Sequence, residues 1–177
     1  MGRVSTQQIA LKPQDLLVLF ALLSRDEDTA SYPELAAQTG LAGSAVHSAL
    51  KRTAVAGLVI FRDRRAVLLK PQLREFVLHG ARFAFPAVHG RLARGVPTAY
   101  AAAPLNAVIA PSSDPPPVWP HKNGSVRGVG LVPLYPTVPE AALRDERLYA
   151  LLALFDALRS GQARERNIAQ AMLKERI

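Results

Sequence analysis

The chain has no cysteine among its 177 residues. Disulfide staples, thiolate chemistry and cysteine-built zinc sites are therefore excluded. Long apolar runs are missing as well. The run from Leu16 to Leu23 is far short of the roughly 20 residues that a membrane-crossing helix needs. Nor does it read as the core of a signal peptide, because the charged stretch Arg25-Asp26-Glu27-Asp28 follows it with no small-residue cleavage site. It reads as a buried helix in a chain expected to be cytoplasmic and to have no membrane partner. Acidic residues are scarce where basic ones gather. The net charge is +8 at pH 7, and residues 42–97 carry all of the excess, with ten Lys/Arg against two Asp/Glu. Such clustering is expected of a surface that meets a polyanion, although a merely solvated basic face would look the same.

What is present is a folding chain. Hydrophobic residues make up 49% of it, enough for a core. Residues 1–11 read as a loose arm. Pro13 can open a helix that runs to Ser24, apolar nearly all round and therefore central. Ser31-Tyr32-Pro33-Glu34 fits the capping-box pattern for a second helix, which Gly40 can close in the left-handed conformation. A third helix is predicted over 44–56, stopped by Gly57. The period then changes. Leu58-Val59-Ile60-Phe61 and Ala66-Val67-Leu68-Leu69 are β-prone runs separated by Arg62-Asp63-Arg64-Arg65, which reads as a hairpin with a basic tip. Pro71 opens a further helix to about Ala81. Ten of the 14 prolines lie between residues 97 and 139, yet Trp119, Tyr135 and many aliphatic residues there demand burial. The segment is expected to be ordered and loop-rich, with one or two short strands and with Gly124–Gly130 forming turns around one of them. Leu148, Leu151, Leu152, Phe155 and Leu158 recur at helical spacing up to Gly161, and a last helix is predicted from Gln162 to Arg176.

The order helix, helix, tight turn, helix, basic hairpin resembles the bacterial winged helix-turn-helix transcriptional regulators, broadly those of the MarR kind. Three stretches carry the resemblance: Glu34-Leu35-Ala36-Ala37-Gln38-Thr39-Gly40-Leu41, then Ser44-Ala45-Val46-His47-Ser48-Ala49-Leu50-Lys51-Arg52, then Ala56-Gly57-Leu58-Val59. It covers residues 12–70. It implies a winged helix-turn-helix domain, placed over 1–82; with the proline-rich loop and short-strand segment over 83–139 and the C-terminal helical region over 140–177, which are read from composition and periodicity, the fold is expected to be α+β, mostly α. The resemblance also implies a sequence-specific regulator of transcription, a repressor, that binds double-stranded DNA. Helix 44–56 would enter the major groove.

The residues agree with that expectation. Opposite Val46, Ala49, Leu50 and Thr53, helix 44–56 shows Ser44, Ala45, His47, Ser48, Lys51 and Arg52. Ser44 sits where free N–H groups attract phosphate. His47 and Ser48 can bond bases or phosphates, and Lys51 and Arg52 suit phosphates or guanine. Arg62, Arg64 and Arg65 of the hairpin could enter a minor groove or grip the backbone. Long readers are few, since Ala42, Gly43 and Ala45 occupy the tip. Specificity would then rest on DNA shape and on pairing two copies.

A homodimer is therefore expected, with the Leu148–Leu158 stripe either its contact surface or part of the chain's own core. The alternative is an interaction module, such as an antitoxin, whose C-terminal region binds a partner protein. Among the four histidines, His47, His79, His89 and His121, none stands at metal-ligand spacing. No serine has a nucleophile-elbow setting, and the Gly124–Gly130 run lacks a P-loop lysine. No catalytic residue, metal or cofactor is expected, and the chain is not expected to be an enzyme.

Overall fold

A computed structural model describes residues 8–177; residues 1–7 of the expected arm lie outside it. Helix α1 (Pro13–Leu23) opens on Pro13, and every residue from Asp15 to Leu23 is buried. A helix apolar on all sides must be covered on all sides, and the rest of the fold supplies that cover. The two residues after the charged stretch 25–28 pair as β1 (Thr29–Ala30), too short a strand to be visible in the sequence. Helix α2 (Tyr32–Thr39) starts with the Glu34 carboxylate accepting from the Ser31 N–H at 2.7 Å. It ends at Gly40, whose φ of 72° is the left-handed closure that glycine adopts without strain. Helix α3 (Gly43–Val55) follows after a short turn and buries Val46, Ala49, Leu50 and Thr53. The hairpin is β2 (Val59–Arg62) and β3 (Arg65–Leu68), and β3 lies between β1 and β2, antiparallel to both. Asp63 and Arg64 form its two-residue turn, at φ 47° and 62°. Helices α4 (Lys70–His79) and α5 (Ala81–Ala84) complete this half.

The proline-rich half is more regular than the sequence suggests. Strands β4 (His89–Pro97), β5 (Pro117–Pro120) and β6 (Val126–Leu131) each pair with both others and close a three-stranded barrel. β4 runs antiparallel to its two neighbours, while β5 and β6 are parallel. A Cβ on Gly124 would run into the backbone of Gly95, so glycine lets the β5–β6 turn cross β4 at contact distance. Helix α6 (Val138–Arg144) starts inside the stretch expected to be loop. Its Pro139 falls in the first turn, where a missing N–H costs nothing. Helices α7 (Glu146–Ser160) and α8 (Ala163–Arg176) end the chain.

The structure bears on two expectations. The segments 1–82, 83–139 and 140–177 share one core, a hydrophobic cluster that runs from Leu16 through Trp119 to Ile177. Helix α5 spans the first boundary and α6 the second. The stripe Leu148, Leu151, Leu152, Phe155, Leu158, left open between a dimer surface and the chain's own core, is core. It is at most 3% exposed and packs within its own chain, with the Phe20 and Phe155 rings edge to face at 5.9 Å. α7, like α1, is surrounded.

One buried carboxylate ties the barrel to that centre. Asp156 of α7 is 2% exposed. It accepts from the Thr98 hydroxyl at 2.7 Å, the Trp119 indole N–H at 2.6 Å and Arg159 Nε at 2.8 Å. Arg159 reaches on to the Val132 carbonyl at 3.0 Å. The Tyr149 hydroxyl donates to the Pro97 carbonyl at 2.6 Å, and burial pushes that phenol's pKa up to about 12. Removing the Asp156 carboxylate leaves an indole N–H, a hydroxyl and an enclosed guanidinium without their acceptor. Asp156→Ala is expected to lower unfolding free energy by about 3–5 kcal/mol. Urea unfolding followed by helical circular dichroism and by the fluorescence of Trp119, the sole tryptophan, measures it.

Candidate nucleic-acid interface

α2, α3 and the β2–β3 hairpin bring most of the expected residues to one face. Ser44, His47, Ser48 and Lys51 recur every three or four residues along α3 and are all exposed. No side chain caps α3, since Ala42 stands at that position. The Ala45 N–H donates to the Ala42 carbonyl at 2.9 Å, which leaves the Gly43 and Ser44 amides for an outside acceptor such as a phosphate oxygen. At the hairpin, Arg62 and Arg64 are exposed and form no ion pair among the described residues. Arg64 holds a positive φ although it has a side chain, at a cost of about 1 kcal/mol.

Three expected contacts are placed otherwise. Arg52 does not join the outer face. Its Nε and Nη2 donate to the two oxygens of Asp15 at 2.7 and 2.6 Å, and Asp15 is fully buried. The Lys12 N–H donates to the same carboxylate at 2.8 Å. Arg52 thus clamps α3 to α1, and the Asp15 hydrogen bonds raise the guanidinium's pKa above its ordinary value. Helical spacing put Arg52 next to Lys51, but the buried Asp15 of α1 claims it. Ala45 is half-buried against the core. Arg65 is half-buried and lies 3.2 Å from the Glu34 carboxylate.

Two further residues join the face that the sequence reading did not select. The Tyr32 ring, at the start of α2, stacks with His47 at 5.6 Å and with Phe61 of β2 at 6.3 Å. Phe61 remains 43% exposed. The stack links α2, α3 and the hairpin across the centre of the surface. Its one signal in the sequence is Phe61 at an outward position of a strand, which is common and carries little information.

Behind the face, Glu34 and Gln38 hold α2 in place. Glu34 accepts from Arg25 Nη2 at 2.7 Å, so one carboxylate serves the Ser31 amide, Arg25 and Arg65. The Ser31 N–H, with help from the two cations, draws its pKa from 4.5 down to about 2. Gln38 Nε2 faces the Asp145 carboxylate at 2.8 Å and the Ser24 hydroxyl at 2.7 Å. Asp145 in turn caps α7 through the Leu148 N–H at 3.0 Å. The exposed face is therefore braced against the central helices.

Among the described residues, no group of three or more His, Asp or Glu is placed to hold a metal ion, and no helix is long and apolar enough to cross a membrane. Compared with protein-family models, curated proteins and solved structures, the chain matches none of them.

Two neighbouring substitutions should separate structural from surface roles. Arg52→Ala strands the Asp15 charge and is expected to cost about 3 kcal/mol, whereas Lys51→Ala stays within about 0.5 kcal/mol; chemical denaturation reads both. The Glu34 shift also fixes a pH dependence. Because the fold lowers this pKa, the carboxylate's contribution is complete above its unfolded value of 4.5 and fades as pH falls towards 2. Thermal melts between pH 6 and about 2.5 should show wild type losing more stability than Glu34→Gln.

Proposed function

We propose that residues 12–70 are a winged helix-turn-helix and that the chain is a double-stranded-DNA-binding regulator of transcription, a repressor that works as a homodimer. Helix α3 lies in the major groove, and the β2–β3 hairpin contacts the flanking backbone or minor groove. One observation carries the reading. Ser44, His47, Ser48 and Lys51 line the outer side of a helix whose inner side is core, and Arg62 and Arg64, exposed and without an ion pair among the described residues, stand on the adjoining hairpin. The element order, with β3 central in a three-stranded sheet, supports it.

The dimensions agree. A helix about 10–12 Å across fits a major groove about 12 Å wide. Lys51 and the two arginines supply charge for phosphates, and the exposed amides at the start of α3 supply donors. Direct readers of base edges are limited to His47, Ser48 and Lys51, so recognition relies on duplex shape and on two copies reading two half-sites. The dimer contact cannot use the α7 stripe. Val88 and Val132, joined by a 2.9 Å backbone hydrogen bond and both about half exposed, offer an alternative apolar surface.

The strained arginine gives a test that separates binding from folding. Arg64→Gly relieves the positive φ and is expected to raise stability by about 0.5–1 kcal/mol. The same change should weaken DNA binding and flatten its dependence on salt by about one unit of slope. Selection of bound fragments from genomic DNA, followed by anisotropy titration of wild type, Lys51→Ala and Arg64→Gly, measures this. Equal affinity for all three proteins would overturn the assignment of the face.

A further inference from the structure

The barrel carries a charge imbalance that the α3 face does not use. Between residues 85 and 137 the chain has Arg91, Arg94, Lys122 and Arg127, against the single acid Asp114. Arg94 and Arg127 stand directly opposite each other in the antiparallel β4–β6 register. Like charges at such positions repel. Both side chains belong to exposed residues, and neither forms an ion pair among the described residues. Elsewhere the fold supplies a carboxylate to its cations, as with Arg25 and Arg65 on Glu34, Lys70 on Asp28 and Arg147 on Asp26.

The placement of this pair is specific. The β5–β6 turn lies beside it, with the His121 N–H donating to the Arg94 carbonyl at 3.2 Å and Lys122 exposed at the turn. His121 Nε2 faces Glu140 of α6 at 3.5 Å. Helix α6 in turn rests on Gly40, in the turn that leads into α3. A Cβ there would meet Thr137 at 3.4 Å and the Arg144 guanidinium at 3.7 Å. A single helix, about 10 Å wide, therefore separates the barrel's basic turn from the approach to α3, and Arg144 on that helix is exposed. A DNA duplex carries one phosphate charge per about 1.7 Å of axis. A duplex held by α3 and running past the α2–α3 turn along α6 would bring its phosphates within about one helix width of the barrel's basic turn.

We infer that Arg94, Arg127 and Lys122 form a second phosphate-binding surface, which grips the backbone of the duplex held by α3 beyond the base pairs that α3 covers. This rests on the DNA-binding reading above. Arginine forks suit phosphate oxygens, and the anion removes the repulsion between the two strands' charges.

The test uses fluorescence anisotropy with the full chain and random-sequence duplexes of about 12 and about 30 base pairs, roughly one and three helical turns. The proteins are wild type, Arg94→Ala with Arg127→Ala, and Arg94→Lys with Arg127→Lys. The alanine pair is expected to bind the long duplex about tenfold more weakly, with a salt slope lower by about two, and to lose less on the short one, which offers fewer phosphates beyond those that α3 covers. The lysine pair keeps the charge and should retain most of the long-duplex affinity. In thermal melts without DNA the lysine pair should coincide with wild type, and the alanine pair, freed of the cross-strand repulsion, should be at least as stable. If the alanine pair matches wild type on both lengths, or loses equally on both, the second surface is wrong while the α3 reading stands. If the pair instead weakens binding of an RNA hairpin and leaves the long duplex unaffected, the surface serves another polyanion and the inference is overturned. Failure of wild type to bind either duplex overturns both readings.

Discussion

Two helices that are apolar on every side set the terms for this fold. α1 is buried from Asp15 to Leu23, and α7 is buried at Leu148 and throughout Leu151–Leu158. Neither has a face that water can cover at low cost. They meet through Phe20 and Phe155, and the remaining elements are arranged around the pair. α2, α3 and the small sheet cover α1. The barrel, α5 and α8 cover α7. This is why a chain with a sharp change of composition at residue 97 still buries one core.

Polar groups inside such a centre must be satisfied, and here they also set registration. Asp15 fixes α3 on α1 through Arg52. Asp156 fixes the barrel on α7 through Thr98 and Trp119. Gln38 and Asp145 join α2 to the start of α7. Each contact links elements distant in sequence, so the orientation of the basic face is set by residues that never reach the surface. The face itself can then be small. Its exposed side chains make few contacts with the rest of the protein and are free to meet a polyanion.

Much of the N-terminal half was legible because its signals are local. Pro13 and the Ser31–Glu34 pair mark helix starts, Gly40 and Gly57 mark stops, and the change from helical to alternating periodicity marks the hairpin. The barrel was less legible. β4 contains His89, Gly90, Arg91, Arg94 and Gly95, residues with weak strand preference, and it is held by partners on both sides. α6 was hidden by prolines that counted against helix, although Pro139 sits in the first turn, where proline is tolerated. The outer face of α3 could be read by counting residues, and Ser44, His47, Ser48 and Lys51 lie where the count puts them. Arg52 could not, because a half-turn position at the rim of a helix faces water or core according to what stands opposite.

The sequence by itself therefore determined where α1, α2, α3 and the hairpin start and stop and which residues there must be buried, since capping, proline geometry and hydrophobic period act over a few residues. Tertiary structure alone decided what the buried faces meet. The stripe on α7 could have paired two chains, but α1 and the barrel occupy it. Arg52 could have pointed at DNA, but Asp15 holds it. Arg94 and Arg127, 33 residues apart in the chain, became neighbours only because the barrel closes. Contacts between distant residues depend on the whole packing, and no local pattern encodes them.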